Sequence, residues 1–150
     1  MAKGELPNFA AKQKLLHSKD QTPESQVAVG DRFFEAGQLY DALDFFTQAS
    51  NDDGIARVRD RAVSDADPLL LKLVLRRIEG EAPSEEWRTL GQNALENGKK
   101  LCAEEAFRMA GDWQTVARLR GEVAAEEREA MGEEDLEDEE SDEDDDEDPS

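Results

Sequence analysis

Residues 29–49, VGDRFFEAGQLYDALDFFTQA, return sixty-one residues later as residues 90–110, LGQNALENGKKLCAEEAFRMA. Over residues 30–59 nine positions match this second copy without a gap. They are Gly30/Gly91, Glu35/Glu96, Gly37/Gly98, Ala42/Ala103, Phe46/Phe107, Ala49/Ala110, Ala56/Ala117, Arg57/Arg118 and Arg59/Arg120. A fixed internal offset of this kind restricts the chain to repeat architectures, in which each unit leaves a face that only its neighbour can cover.

The period inside each copy is helical. Val29, Phe33 and Phe34, then Leu39, Leu43, Phe45, Phe46 and Ala49, recur at steps of three and four, which places them on one side of amphipathic helices. Gly37 falls between the two runs. A glycine just past a helix takes the left-handed conformation that ends it, so the chain turns there and returns antiparallel. Small residues at Gly30, Ala42 and Ala49 allow close approach of the two helices, with Phe46 filling the space beside them.

This pattern resembles the tetratricopeptide repeat, whose signature is W-x-x-L-G-x-x-Y, a glycine turn, then A-x-x-x-F and a further alanine. The second copy has Trp87, Leu90, Gly91, Gly98, Ala103, Phe107 and Ala110 in register, with Ala94 at the aromatic position. In the first, Val29, Gly30, Phe33, Gly37, Ala42, Phe46 and Ala49 match, and Gln26 stands where the tryptophan would be. Gly54 and Thr115 stand where the family closes with proline. Because the family repeat is 34 residues long, a spacing of sixty-one means that the two units are not adjacent. The resemblance implies an all-α fold, a short antiparallel right-handed α-solenoid of tetratricopeptide-like hairpins.

Helix signals divide the rest of the chain. Asn8 is placed to cap a short helix carrying Phe9, Leu15 and Leu16, within a basic segment 1–22 containing Lys3, Lys12, Lys14 and Lys19. Its bland role is to cover an open end of the array; the alternative is a docking motif for something else. Thr22 and Pro23 form a helix start, giving helices over about 23–36 and 39–50. Asn51, Asp52, Asp53 and Gly54 read as a turn before a third helix at about 55–64. Asp67 and Pro68 begin a fourth, PLLLKLVLRRIE, apolar around more than half its circumference and so expected between neighbours at the centre of the core. Pro83 and Ser84 open the second unit, with helices at about 85–97 and 99–110. Asp112 caps a last helix at about 113–130 whose second half, AAEEREAM, loses its apolar stripe. The repeat domain therefore covers 23–131, and the true repeat is three helices used twice with the fourth helix bridging.

Charge is concentrated at one end. Residues 133–150 hold fourteen acidic residues and no basic one, a composition that repels itself, has nothing to bury and is expected to be disordered, as the tail 132–150. Without those fourteen, 24 of the chain's 38 acidic residues face 18 basic ones, so the body carries about −6 of the full −20. A chain this acidic repels phosphate backbones and lacks the basic footprint of a nucleic-acid binder. Cys102 is the sole cysteine, which excludes an intramolecular disulfide and fits a reducing compartment. The sequence has no apolar signal core after Met1, and Lys72 interrupts its most apolar run, so a cytoplasmic protein with no membrane partner is expected.

Reactive groups do not converge. His17 is the only histidine and Cys102 has no specific activating base, so neither a triad nor a metal centre is spelled out. GDRFFEAG follows no strand and its glycines serve the hairpin, which rules out a phosphate loop. The reading is a non-enzyme without cofactors whose work is binding protein partners. The resemblance implies where: in tetratricopeptide arrays the first helix of each hairpin lines a groove for partner peptides. Carried over, the partner-binding residues are Val27, Asp31, Phe34 and Glu35 in the first unit and Arg88, Gln92, Leu95 and Glu96 in the second. The lysine and asparagine clamp that some relatives use for a terminal carboxylate is largely missing from these places. Arg57, Arg59, Arg118 and Arg120, with Lys72, Arg76 and Arg77, form either a positive surface or a solvated face paired with Asp60 and Glu122. If they cluster, the nearest anion is the chain's own tail. An alternative function uses that tail directly, as an acidic chaperone that shields basic proteins.

Overall fold

The computed structural model describes residues 6–17 and 21–132. Among these residues it contains eight helices packed against one another and no strand. They are α1 (Phe9–His17), α2 (Pro23–Glu35), α3 (Leu39–Gln48), α4 (Asp52–Ser64), α5 (Pro68–Ile78), α6 (Ser84–Glu96), α7 (Lys100–Ala110) and α8 (Trp113–Met131). Helices α6, α7 and α8 each start sixty-one residues after α2, α3 and α4, so the sequence offset is a duplication of three helices in register. Lys3, Lys19 and the expected disorder of 133–150 lie outside the described residues.

Neighbours in the chain pack as α2 on α3, α3 on α4, α4 on α5, α6 on α7 and α7 on α8. Alternate helices pack as well: α1 on α3, α3 on α5 and α5 on α7, and likewise α2 on α4 and α4 on α6. The odd- and even-numbered helices thus form two rows. Phe45, Phe46, Leu43, Leu70, Leu71, Leu90, Leu119, Val58 and Val74 are fully buried between them. Helix α5 holds the central place that its composition suggested, with Pro68, Leu70, Leu71, Val74 and Leu75 buried.

Glycine decides how closely the rows meet. A Cβ on Gly30 would lie 2.6 Å from the Phe46 ring, and one on Gly91 would lie 2.7 Å from Phe107. These two conserved-in-register pairs are therefore one contact made twice. Phe46 also sits on Gly54, where a Cβ would come within 2.5 Å of the ring. This corrects the expected boundary of the third helix: Asp52, Asp53 and Gly54 form the first turn of α4 rather than a loop before it. Gly54 is there for the ring, not for a turn.

Helix ends follow their local chemistry. Thr22 and Ser25 form a reciprocal cap on α2, Asp67 accepts from the Leu70 amide, Asp112 from Thr115 and Asn8 from Ala11. At C-termini, Gly37, Gly98 and Gly111 take φ of 79°, 72° and 78°, and the amide after each returns to the final turn, as Gln38 does to the Phe33 carbonyl. Ser50, Ala66 and Glu79 take the same left-handed conformation without being glycine. Ser50 is the duplicate of Gly111.

The two ends of the array are closed differently. Helix α1 covers α3: Leu16 is buried, and the Lys12 ammonium, 9% exposed as a residue, bonds Asp41 and, at 2.8 Å, Asp44. Asp44's duplicate, Glu105, receives Lys72 from α5 in the same way. So α1 stands to the first three-helix unit as α5 stands to the second. At the other end no described helix follows α8 to cover α7. Leu39 and Leu43, buried in the first unit, become Lys100 and Glu104, and these pair with Glu126 and Arg120 of α8. Two core leucines have been exchanged for charges where no described helix covers α7.

Gly91→Ala is expected to lose roughly 1 kcal/mol in urea unfolding, overpacking against Phe107 outweighing the better helix propensity. Ser50→Gly is expected to gain roughly 0.5 kcal/mol by relieving the left-handed conformation. Replacing Lys100 and Glu104 together by leucine is expected to make the chain self-associate, read as a concentration-dependent mass by analytical ultracentrifugation.

Candidate functional site

Val27, Asp31, Phe34 and Glu35 lie on α2, and Arg88, Gln92, Leu95 and Glu96 on α6. The structure does not bring the two groups together directly, because α4 packs against both helices and lies between them. Helical register places Ala56, Asp60, Val63 and Ser64 of α4 at the positions corresponding to Val27, Asp31, Phe34 and Glu35. Sequence reading missed these four because α4 carries Arg59 where Gly30 and Gly91 mark α2 and α6. A start-to-start spacing of 29 residues from α2 to α4, close to the 32 from α4 to α6, is the signal that finds them.

The eight expected residues are in different states. Glu35, Arg88, Gln92 and Glu96 are exposed, while Val27 and Leu95 are half-buried. Asp31 is held by the Arg57 guanidinium of α4. That guanidinium also lies over the rings of Phe34 and Phe46, 5.0 and 5.2 Å from their centroids. Asp31 and Phe34 thus already fasten α4 to α2, and the free part of this face is polar and charged.

Of the duplicated arginines, Arg57, Arg59 and Arg120 are paired, across helices rather than with the neighbouring Asp60 and Glu122. Arg59 reaches Glu86 of α6 at 2.9 Å, Arg120 reaches Glu104 of α7 and Arg77 reaches Asp44 of α3 at 2.9 Å. Asn93 donates to the Val63 carbonyl at 2.9 Å and Lys99 to the Asp65 carbonyl at 2.8 Å. These polar links join helix to helix, Arg59, Arg77 and Asn93 along a row and Arg120 between the rows.

Hollows open between the helices among the described residues. The one of about 400 Å³ beside α5, α6 and α7 is lined by Lys72, Leu75, Glu81, Ala82, Trp87 and Met109. Another, of about 660 Å³, lies between α7 and α8 near Lys100, Leu101, Cys102 and Val123. A third, of about 200 Å³, lies where the chain before α1 meets α2 and α3. Cys102 is half-buried and His17 exposed. Among the described residues no three His, Cys, Asp or Glu side chains gather as a metal site, and no helix is long and apolar enough to cross a membrane.

Several charges are tuned by these contacts. Burial works against the Lys12 ammonium, but the hydrogen bonds and charges of Asp41 and Asp44 outweigh it and raise its pKa. Burial likewise opposes ionisation of Glu105, yet Lys72 and Arg108 hold its carboxyl below the usual range. Tyr40, the chain's one tyrosine, donates to Asp67 at 2.9 Å; burial, then that hydrogen bond and charge, push its phenol up to about 12. Comparison of the chain with models of protein families, with curated proteins and with solved structures found no match.

Since both Lys12 and Tyr40 are raised, their contributions to stability are complete below the unfolded values and fade as pH rises through the folded ones. Absorbance near 295 nm reads Tyr40 alone and is expected to titrate at about 12 in the folded chain, against about 10 in urea. The loss of stability is expected to begin near pH 10.

Proposed function

We propose that the eight helices form a short tetratricopeptide-like α-solenoid that acts as a non-enzymatic protein-interaction module, a scaffold or adaptor. The observation that carries this reading is the stacking of α2, α4 and α6 in one row, with Glu35, Asp60, Ser64, Arg88, Gln92 and Glu96 exposed at corresponding places. Such a row offers a continuous groove to a partner peptide or helix, the recognition mode of an extended segment laid along a preformed surface. The mixed signs along it favour a partner whose charges alternate rather than a uniformly acidic or basic one. No cofactor enters this reading, nucleic acid and membrane are not the partners, and the cytoplasm is the compartment.

A second reading has its own support in the fourteen acidic residues of 133–150: an acidic chaperone whose tail shields basic proteins, the helices being its scaffold. The two separate in one experiment. The full-length chain is used to capture proteins from lysate of its native source, beside a groove variant carrying Glu35→Lys, Arg88→Glu and Glu96→Lys and a tail variant with its fourteen acids changed to amides. Partners kept by the tail variant and lost by the groove variant are expected. Lysine- and arginine-rich partners lost only by the tail variant would transfer function to the tail.

A further inference from the structure

Most cations that stand out in the sequence are paired with an acid. Arg57 has Asp31, Arg59 has Glu86, Lys72 has Glu105, Arg77 has Asp44 and Arg120 has Glu104. Arg118 makes no hydrogen bond or ion pair with the described residues, and neither does Arg88.

The internal copy shows what Arg118 lacks. Its duplicate, Arg57, is fixed by the Asp31 carboxylate and by the ring of Phe34. Sixty-one residues on, Asp31 has become Gln92 and Phe34 has become Leu95. The cation is retained while the carboxylate and one of the two rings that held it are gone, Phe107 keeping the place of Phe46. Arg88 stands one turn before Gln92 on α6, and the Asp112 carboxyl is held below its usual range first by hydrogen bonds from Thr115 and then by the charges of Arg88 and Arg118. Asp112 itself is engaged in capping α8, through the Thr115 amide and hydroxyl. Glu122, the next acid along α8, lies one turn past Arg118 and forms no ion pair with it.

We propose that Arg118 and Arg88 receive carboxylates from the chain's own acidic segment, residues 133–150, in the role that Asp31 plays for Arg57. Reach permits it. From Arg118 to Met131 is about 20 Å along α8 at 1.5 Å per residue, and an extended chain covers that distance in roughly six residues. Most of the acids then remain available at the site. Tethering decides the occupant: the segment is present at an effective concentration on the order of millimolar, whereas an acidic peptide from another protein must approach a chain of net charge −20. The contact is electrostatic and solvent-exposed, so it dissociates readily and weakens with salt. It also places acid on one end of the α6 face, where it competes with acidic segments of any partner. The inference needs no partner, so its outcome is read apart from that of the groove.

The test uses the full-length chain carrying Arg118→Lys, treated with a water-soluble carbodiimide, which joins an amine to a carboxylate in direct contact. At low ionic strength the expected product is an amide between position 118 and an acid of 133–148, in monomeric chain. Its yield is expected to exceed that at Lys99, which shares a hollow with Val123 and Glu126 of α8, nearer in the chain to where the segment begins. Adding Arg88→Ala is expected to lower the yield several-fold, and about 1 M salt, where the screening length is about 3 Å, to abolish it. The proposal is overturned if position 118 joins only to residues within 1–132. Higher yield at Lys99 would mean diffuse attraction near the tether, and products found only in dimers would make a second copy the occupant; either result also sinks it.

Discussion

The contact on which the rest depends is an aromatic ring laid on a glycine. Phe46 rests against Gly30 of α2 and Gly54 of α4, and Phe107 against Gly91 of α6. With no side chain in the way, the helix backbones approach until the ring fills the whole gap between them, at the packing density of a protein interior. Phe46 touches two even-row helices at once, so it fixes both the α2/α3 hairpin and the placing of α4 upon it. Thr115 takes the Gly54 place in the second copy, and there the ring of Phe107 has only Gly91 to meet. That difference accompanies a different surrounding: α4 packs against α2, α3, α5 and α6, whereas α8 is held chiefly by α7.

Around this frame, charge closes what apolar packing leaves open. Lys12 and Lys72 play one part in two units, each lying against an acid of the odd-row helix that follows. Lys100 and Glu104 take the places of Leu39 and Leu43 on α7, which no described helix beyond α8 covers, and pair with α8 instead. Partly exposed ion pairs of this kind contribute little each, up to about 1 kcal/mol. Their larger effect is on choice of neighbour, since a carboxylate row opposite a lysine accepts one register of stacking and opposes others.

Much of this was legible beforehand because it is local. The glycine stops at Gly37 and Gly98, the caps at Thr22, Asp67 and Asp112, and the apolar run of α5 each depend on residues within a turn of one another. The candidate site was legible only in part. Val27 to Glu35 and Arg88 to Glu96 do lie on α2 and α6, but α4 between them went unrecognised as a member of the row, since its helix-packing glycine is Gly54 rather than a residue at position 59. The engagement of Asp31 and Phe34 by Arg57 was equally hidden: arginine reaches some 7 Å, and which acid lies within that reach depends on how two helices are stacked.

What the sequence by itself determined is the list of helices, most of their ends and the sixty-one-residue duplication, because capping, turn chemistry and the 3.6-residue period act over a few positions. Only the tertiary structure decided that α1 and α5 are equivalent, that the arginines serve as clasps, and that Arg118 is left without the acid its duplicate owns. Those outcomes rest on which helices lie side by side, and that is set by rings, glycines and cavities contributed from segments thirty residues apart.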